Sequence, residues 1–131
     1  MILIALVLVA ALFGISSQDT PKRRIPCKTA ENSATCYWTH GRLGTSNGTP
    51  TFRLWKIGTR RVLGIYSGPS AERADSLDNE NPEMPTSLLR KLKPFENRVF
   101  ADFEVCPLEP EKPGYMQAAC IESAKNIVVE Q

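Results

Sequence analysis

From Arg98 to Cys106 the chain reads Arg-Val-Phe-Ala-Asp-Phe-Glu-Val-Cys, a run with a period of two. Val99, Ala101, Phe103 and Val105 fall on one side, and Phe100, Asp102, Glu104 and Cys106 on the other. Such a period marks a strand with one covered face. A lone strand leaves both edges unpaired and one apolar face wet, so further strands must flank it.

Those strands are legible. The run Ala34 to Leu43 alternates, with Tyr37, Thr39, Gly41 and Leu43 opposite Trp38, His40 and Arg42. Asn47-Gly48 follows, a pair that supplies the positive φ angles of a tight hairpin. Thr51 to Ile57 sets Phe52 and Leu54 against Arg53 and Trp55, and after Gly58-Thr59-Arg60 a third strand runs from Arg61 to Tyr66. Residues 67–84 are polar and acidic and read as a long surface loop. Pro85 suits a first helical turn, Leu88, Leu89 and Leu92 share a face, and Pro94 stops the helix. A final strand spans Ala119 to Glu130, with a bend near Ser123 to Asn126.

Three strands, a loop and helix, then two strands make the element order of a mainly β, five-stranded OB-like barrel or roll with one short helix between strands three and four. An open α+β sheet is the alternative. A chain of 131 residues holds one such core, which places a single domain at 33–131. Ahead of it, 18–32 reads as an exposed basic arm carrying Lys22, Arg23 and Arg24.

Residues 1–17 form a hydrophobic leader. Ile2 to Ile15 is unbroken in apolar character and ends at Ser16 and Ser17, a length that suits a signal peptide better than a membrane span. No Lys or Arg precedes the run, and Gly14 and Ser16 are the best small pair for cleavage, so an uncleaved anchor is the second reading. Cleavage would start the mature protein near Ser17 or Gln18. Export places the domain outside the cytoplasm, whether periplasmic, secreted or membrane-anchored.

In an oxidising compartment Cys27, Cys36, Cys106 and Cys120 make two bridges. Three pairings are open. The turn-rich segment between Cys106 and Cys120 favours Cys106 with Cys120, and therefore Cys27 with Cys36. A zinc site has little support, with no C-x-x-C pair and one histidine, and neither a metal nor a cofactor is expected.

Charge is divided along the chain. Residues 19–61 carry nine basic and two acidic side chains, whereas 62–131 carry seven basic and twelve acidic. Trp38, His40, Arg42, Arg53, Trp55, Arg60 and Arg61 therefore form the candidate binding set, a basic aromatic face for a protein or an anionic polymer of the cell envelope. Export argues against nucleic acid as that polymer, and membrane contact is expected only through an uncleaved leader.

No catalytic residue is assigned. A small envelope hydrolase using His40 with Asp102 or Glu104 is the alternative function, and a structural accessory protein the third. Asn47-Gly48-Thr49 fits a glycosylation acceptor, but the turn already explains it, and no glycine-rich nucleotide motif is present.

Two segments carry a resemblance. Gly48-Thr-Pro-Thr-Phe-Arg-Leu-Trp-Lys-Ile-Gly-Thr-Arg-Arg-Val-Leu-Gly and Val105-Cys-Pro-Leu-Glu-Pro-Glu-Lys-Pro-Gly-Tyr-Met-Gln-Ala-Ala-Cys-Ile-Glu-Ser-Ala resemble small exported bacterial proteins of unassigned function. The resemblance implies export and a shared domain, and brings no catalytic residue with it.

Overall fold

The structure is a computed structural model that describes residues 25–69 and 80–131. The leader, and the arm as far as Arg24, lie outside the described residues. A 3-10 turn at Ser33–Thr35 leads into β1 (Tyr37–Thr45), β2 (Phe52–Lys56) and β3 (Val62–Ile65). One helical turn, α1 (Thr86–Leu89), precedes β4 (Arg98–Pro107) and β5 (Gln117–Glu130). No helix among the described residues is long and apolar enough to cross a membrane.

The strands close into a barrel in the order β1-β2-β3-β5-β4. All neighbours are antiparallel except β3 and β5, which run parallel with Gly64 opposite Ala118. Closure removes the free edges that an open sheet would expose. β1 makes closure possible because it serves two partners. Tyr37 to Leu43 pair with β4, while Gly41 to Thr45 pair with β2. The strand passes from one side of the barrel to the other around Gly41.

Gly41 is where that crossing leaves no room. A Cβ there would lie 2.7 Å from Leu54 Cδ1 and 3.0 Å from the Trp55 carbonyl oxygen. The first neighbour is a fully buried core side chain and the second is backbone, so neither gives way cheaply. Gly41→Val is therefore expected to destabilise the domain by about 1–3 kcal/mol or more, measured as a shift of the denaturation midpoint.

Alternation sets the core. Leu43, Phe52, Leu54, Leu63, Ile65, Val99, Ala101, Phe103 and Val105 point inward, joined by Ala119 and Ile121 from β5. Met84, Leu88 and Leu92 cover one end of the barrel from the β3–β4 connection. Leu88 and Leu92, four residues apart, share the buried face, but Leu89 is 52% exposed, contrary to the three-leucine face expected. One residue is about 100° around a helix, enough to turn Leu89 out. Buried Asn97 finishes the turn, donating from Nδ2 to the Lys91 carbonyl and accepting the Lys93 N–H on Oδ1 at 2.7 Å. Buried Met84 also gives the acidic connection an apolar anchor that its composition hides.

Asn47-Gly48 does not make a two-residue hairpin. Pro50 has no N–H for a ladder, so pairing stops at Thr45 and Phe52, and Ser46 N–H to the Thr51 carbonyl closes a longer loop. Gly48, at φ 107°, still supplies the positive angle. β5 bends as expected: its register with β4 shifts twice, and Asn126 sits at φ 56°.

The cysteine pairing differs from the one expected. Cys27 bridges Cys120 and Cys36 bridges Cys106, with Cα separations of 5.7 and 4.1 Å. Cys106 and Cys120 do face each other across β4 and β5. Each nevertheless reaches out to the N-terminal segment, because Asn32 folds that segment into a compact turn. Its Oδ1 accepts the Thr29 N–H and its Nδ2 donates to the Cys27 carbonyl, laying both cysteines on the barrel. Cys27 is fully buried, so the segment read as an arm packs against the barrel along part of its length. Spanning 93 and 70 residues, the bridges each remove on the order of 4–5 kcal/mol of unfolded-chain entropy, and they point to an oxidising, extracytoplasmic environment.

Candidate functional site

The cross-strand register builds two parallel rows on the outer wall. In one, Phe100, Arg42, Trp55 and Val62 are successive partners across β4, β1, β2 and β3. In the other, Gly44, Arg53 and Gly64 are partners on β1, β2 and β3. Arg98 flanks Gly44 from the β4 side, its Cγ 3.4 Å from where a Cβ on Gly44 would stand. Pro50 and Met116 sit over Gly64 so closely that a Cβ there would meet them at 2.8 and 3.1 Å. The second row thus alternates cation and glycine and is walled at its β3 end.

Between the rows lies an open groove of about 280 Å³, lined by Arg42, Arg53, Trp55, Val62 and Arg98 with Gly44, Thr45 and Ser46. None of these residues is acidic. Arg42 stacks on Trp55, its Cζ 4.9 Å from the ring centroid, and the indole N–H donates to the Thr59 carbonyl at 2.8 Å. Arg53 donates from Nε to the Pro50 carbonyl at 3.2 Å, and its Nη2 stands 3.3 Å from where a Cβ on Gly48 would be. Among the described residues the anion paired with Arg98 is Glu130, at 3.7 Å, too long for a strong pair.

The groove shares lining residues with two neighbouring depressions. Through Val62 it meets a depression lined by Arg60, Arg61, Gly114, Tyr115 and Met116. Through Thr45 and Arg98 it meets another, lined by Phe95, Glu96, Asn97 and Gln131. Tyr115, 73% exposed, lines the first of these depressions and Phe95, 66% exposed, the second. Phe95 is held at φ 64°, a costly angle for a bulky residue, with its N–H on Thr45 Oγ1 at 2.7 Å.

Of the candidate residues, Arg42, Arg53 and Trp55 meet in the groove, and Arg60 and Arg61 line its extension, where Arg61 is paired with Glu111 at 2.7 Å. Trp38 and His40 lie elsewhere. They share an alternation face with Arg42, but β1 coils, so its first half looks over β4 and β5 while its second half looks over β2. Trp38 stacks under Lys125, at 4.4 Å, and stands opposite Glu104. Arg98, Val62, Tyr115 and Phe95 were missed. Alternation places Arg98 outward, opposite Val99, and was the available signal; Tyr115 and Phe95 lie in loops with no period to read.

His40 does meet a carboxylate. Its Nδ1 lies 3.0 Å from Asp102 Oδ1, and Asn126 donates to Oδ2 at 2.8 Å. The Asn126 amide, then the His40 contact, hold the Asp102 carboxyl below the usual carboxylate range, with Lys125 adding a smaller effect. A lowered folded value makes this contribution to stability present above about pH 4, and lost as pH falls through that lowered value. Asn126→Gly keeps the positive φ and removes the amide, so Asp102 should titrate closer to an ordinary aspartate, followed by carboxyl-carbon NMR. An unchanged titration would assign the lowering to His40.

Glu104, the other carboxylate of that pair, accepts from Lys28 at 3.0 Å and from Ser123 Oγ at 3.1 Å, so it is a bridge to the N-terminal segment. Comparison with family models, with curated proteins and with solved structures finds no match for this chain.

Proposed function

We propose that this is an extracytoplasmic, non-enzymatic domain that binds an anionic polymer along the outer groove of β1, β2 and β3. One observation carries the reading: Arg42, Arg53 and Arg98 line one groove with the Trp55 ring, and no acidic side chain among the described residues lines it. Guanidinium groups suit carboxylate and phosphate oxygens by their planar fork, and an exposed aromatic offers a flat face to a sugar ring or other planar group. An open groove with one depression beside it at Val62 and another at Thr45 and Arg98 suits an extended chain better than a compact molecule. An exported relative of the small bacterial proteins that the sequence resembles would meet such polymers in the cell envelope.

The test is titration of the domain with a polyuronate and with polyphosphate at several salt concentrations. Saturable binding that weakens as salt rises supports the proposal; no binding to either at low salt overturns it. A second reading, a small hydrolase, is favoured by the His40–Asp102 contact alone. Against it, that pair is exposed and none of the three depressions described includes it.

A further inference from the structure

We propose that the four cysteines form a thiol–disulfide exchange site, where one two-electron reduction by an external dithiol detaches the whole N-terminal segment from the barrel. Both bridges tie that segment to the barrel: Cys27 to β5 and Cys36 to β4. Their barrel ends, Cys106 and Cys120, are direct partners in the β4–β5 ladder. The Cys27, Cys106 and Cys120 sulfurs all lie within 4.8 Å of one another. Three sulfurs this close, two of them held in register, permit a third pairing, Cys106 with Cys120, that lies wholly inside the barrel.

Burial sets the order of events. Cys27, Cys106 and Cys120 are fully buried, and Gly68 lies against the Cys27–Cys120 bridge, where a Cβ would stand 3.0 Å from Cys120 Sγ. Cys36 is half-buried and is the sulfur an incoming thiolate can reach. The dithiol attacks Cys36 Sγ and the Cys36–Cys106 bond breaks, with Cys106 leaving as the thiolate. The second thiol of the reagent resolves the mixed disulfide, so the reagent departs oxidised and Cys36 takes a proton. Cys106 Sγ then attacks Cys120 Sγ, forming the Cys106–Cys120 bond and expelling Cys27, which takes the second proton. One disulfide has been reduced, yet both anchors of the segment are gone. Among the contacts then left between segment and barrel are the exposed Lys28 N–H and ammonium on Glu122 and Glu104, and the part-buried Ile25 N–H on Glu83. The exposed Lys28–Glu104 ion pair holds weakly.

The test treats the oxidised full-length chain with one equivalent of dithiothreitol, quenches in acid, unfolds it, and maps alkylated cysteines by mass spectrometry. Label on Cys27 and Cys36 at least tenfold above that on Cys106 and Cys120, with a peptide joined through Cys106–Cys120, is the expected result. Label on Cys36 and Cys106 with Cys27–Cys120 intact would overturn the proposal, as would a Cys27–Cys106 peptide or an all-or-none reduction of four cysteines. A Cys36→Ser chain supplies the second measurement, because Cys106 there starts as a thiol and needs no reductant. Its single free thiol should map to Cys27; a thiol that stays on Cys106 refutes the exchange.

Discussion

Replacing Arg42, Arg53 and Arg98 together by Ser is expected to weaken polyanion binding by two to three orders of magnitude while leaving the domain folded. A hydrogen bond to a charged group contributes roughly 1.5–3 kcal/mol, about tenfold or more in affinity for each arginine that engages an anionic oxygen. Loss of three cations should also flatten the dependence of affinity on salt, since fewer charges are screened. The cost to folding is small. Among the described residues Arg98 has only the long contact with Glu130 and Arg53 a single bond to the Pro50 carbonyl, and exposed pairs contribute about 0–1 kcal/mol. Arg42 adds a cation–π stack on Trp55, worth about 0.5–1 kcal/mol at an exposed site. Isothermal titration at two salt concentrations, with a denaturation curve for each variant, reads both effects. Unchanged affinity in a folded triple variant would remove the groove from the function.

The same substitution at Arg60 and Arg61 serves as an internal comparison. Arg61 is already engaged by Glu111, so its charge is partly spent within the protein, and its loss should weaken binding less than that of Arg53. The sequence alone places Arg53, Arg60 and Arg61 on an equal footing, because net charge over 19–61 counts every arginine alike. Only the approach of the β4–β5 loop, which carries Glu111, separates them.

That distinction marks where sequence reasoning succeeds and where it stops. Period-two alternation found β1, β2 and β4, since burial on one face leaves a direct imprint on residue type: Val99, Ala101, Phe103 and Val105 are all buried, whereas β3 and β5 bury consecutive residues and carry no such period. It failed wherever position depends on chain segments meeting from afar. The cysteine pairing is one case, fixed by the turn that Asn32 builds and by where the N-terminal segment crosses the barrel. The split between Trp38 and Arg42 is another, because alternation says which face a residue takes and says nothing of how β1 coils around the barrel. Phe95, exposed at a positive φ, carries no periodic signal at all.

Phe103→Ala and Trp55→Ala should therefore behave as opposites, although both delete a large aromatic ring from a strand. Phe103 lies in the middle of β4, fully buried among side chains drawn from the other strands of a closed barrel. A closed barrel resists collapse around a void because each wall is held by hydrogen bonds to two neighbours, so the cavity persists. Phe103→Ala should cost about 3–5 kcal/mol, a large fraction of the stability of a domain this size, and is expected to move the denaturation midpoint strongly with no change of affinity in the folded fraction. Trp55 lies on the outer wall, touching Arg42 and the Thr59 carbonyl and only partly covered. Its removal leaves no enclosed cavity, so Trp55→Ala should cost about 1 kcal/mol, near the mean for single substitutions, while binding falls by about tenfold as the flat face is lost. Measuring stability and affinity on both variants gives a crossed result that neither a general loss of fold nor a featureless surface can produce. A Trp55→Ala protein destabilised as much as Phe103→Ala, with affinity intact, would place the indole in the structural frame and leave the arginines to bind without it.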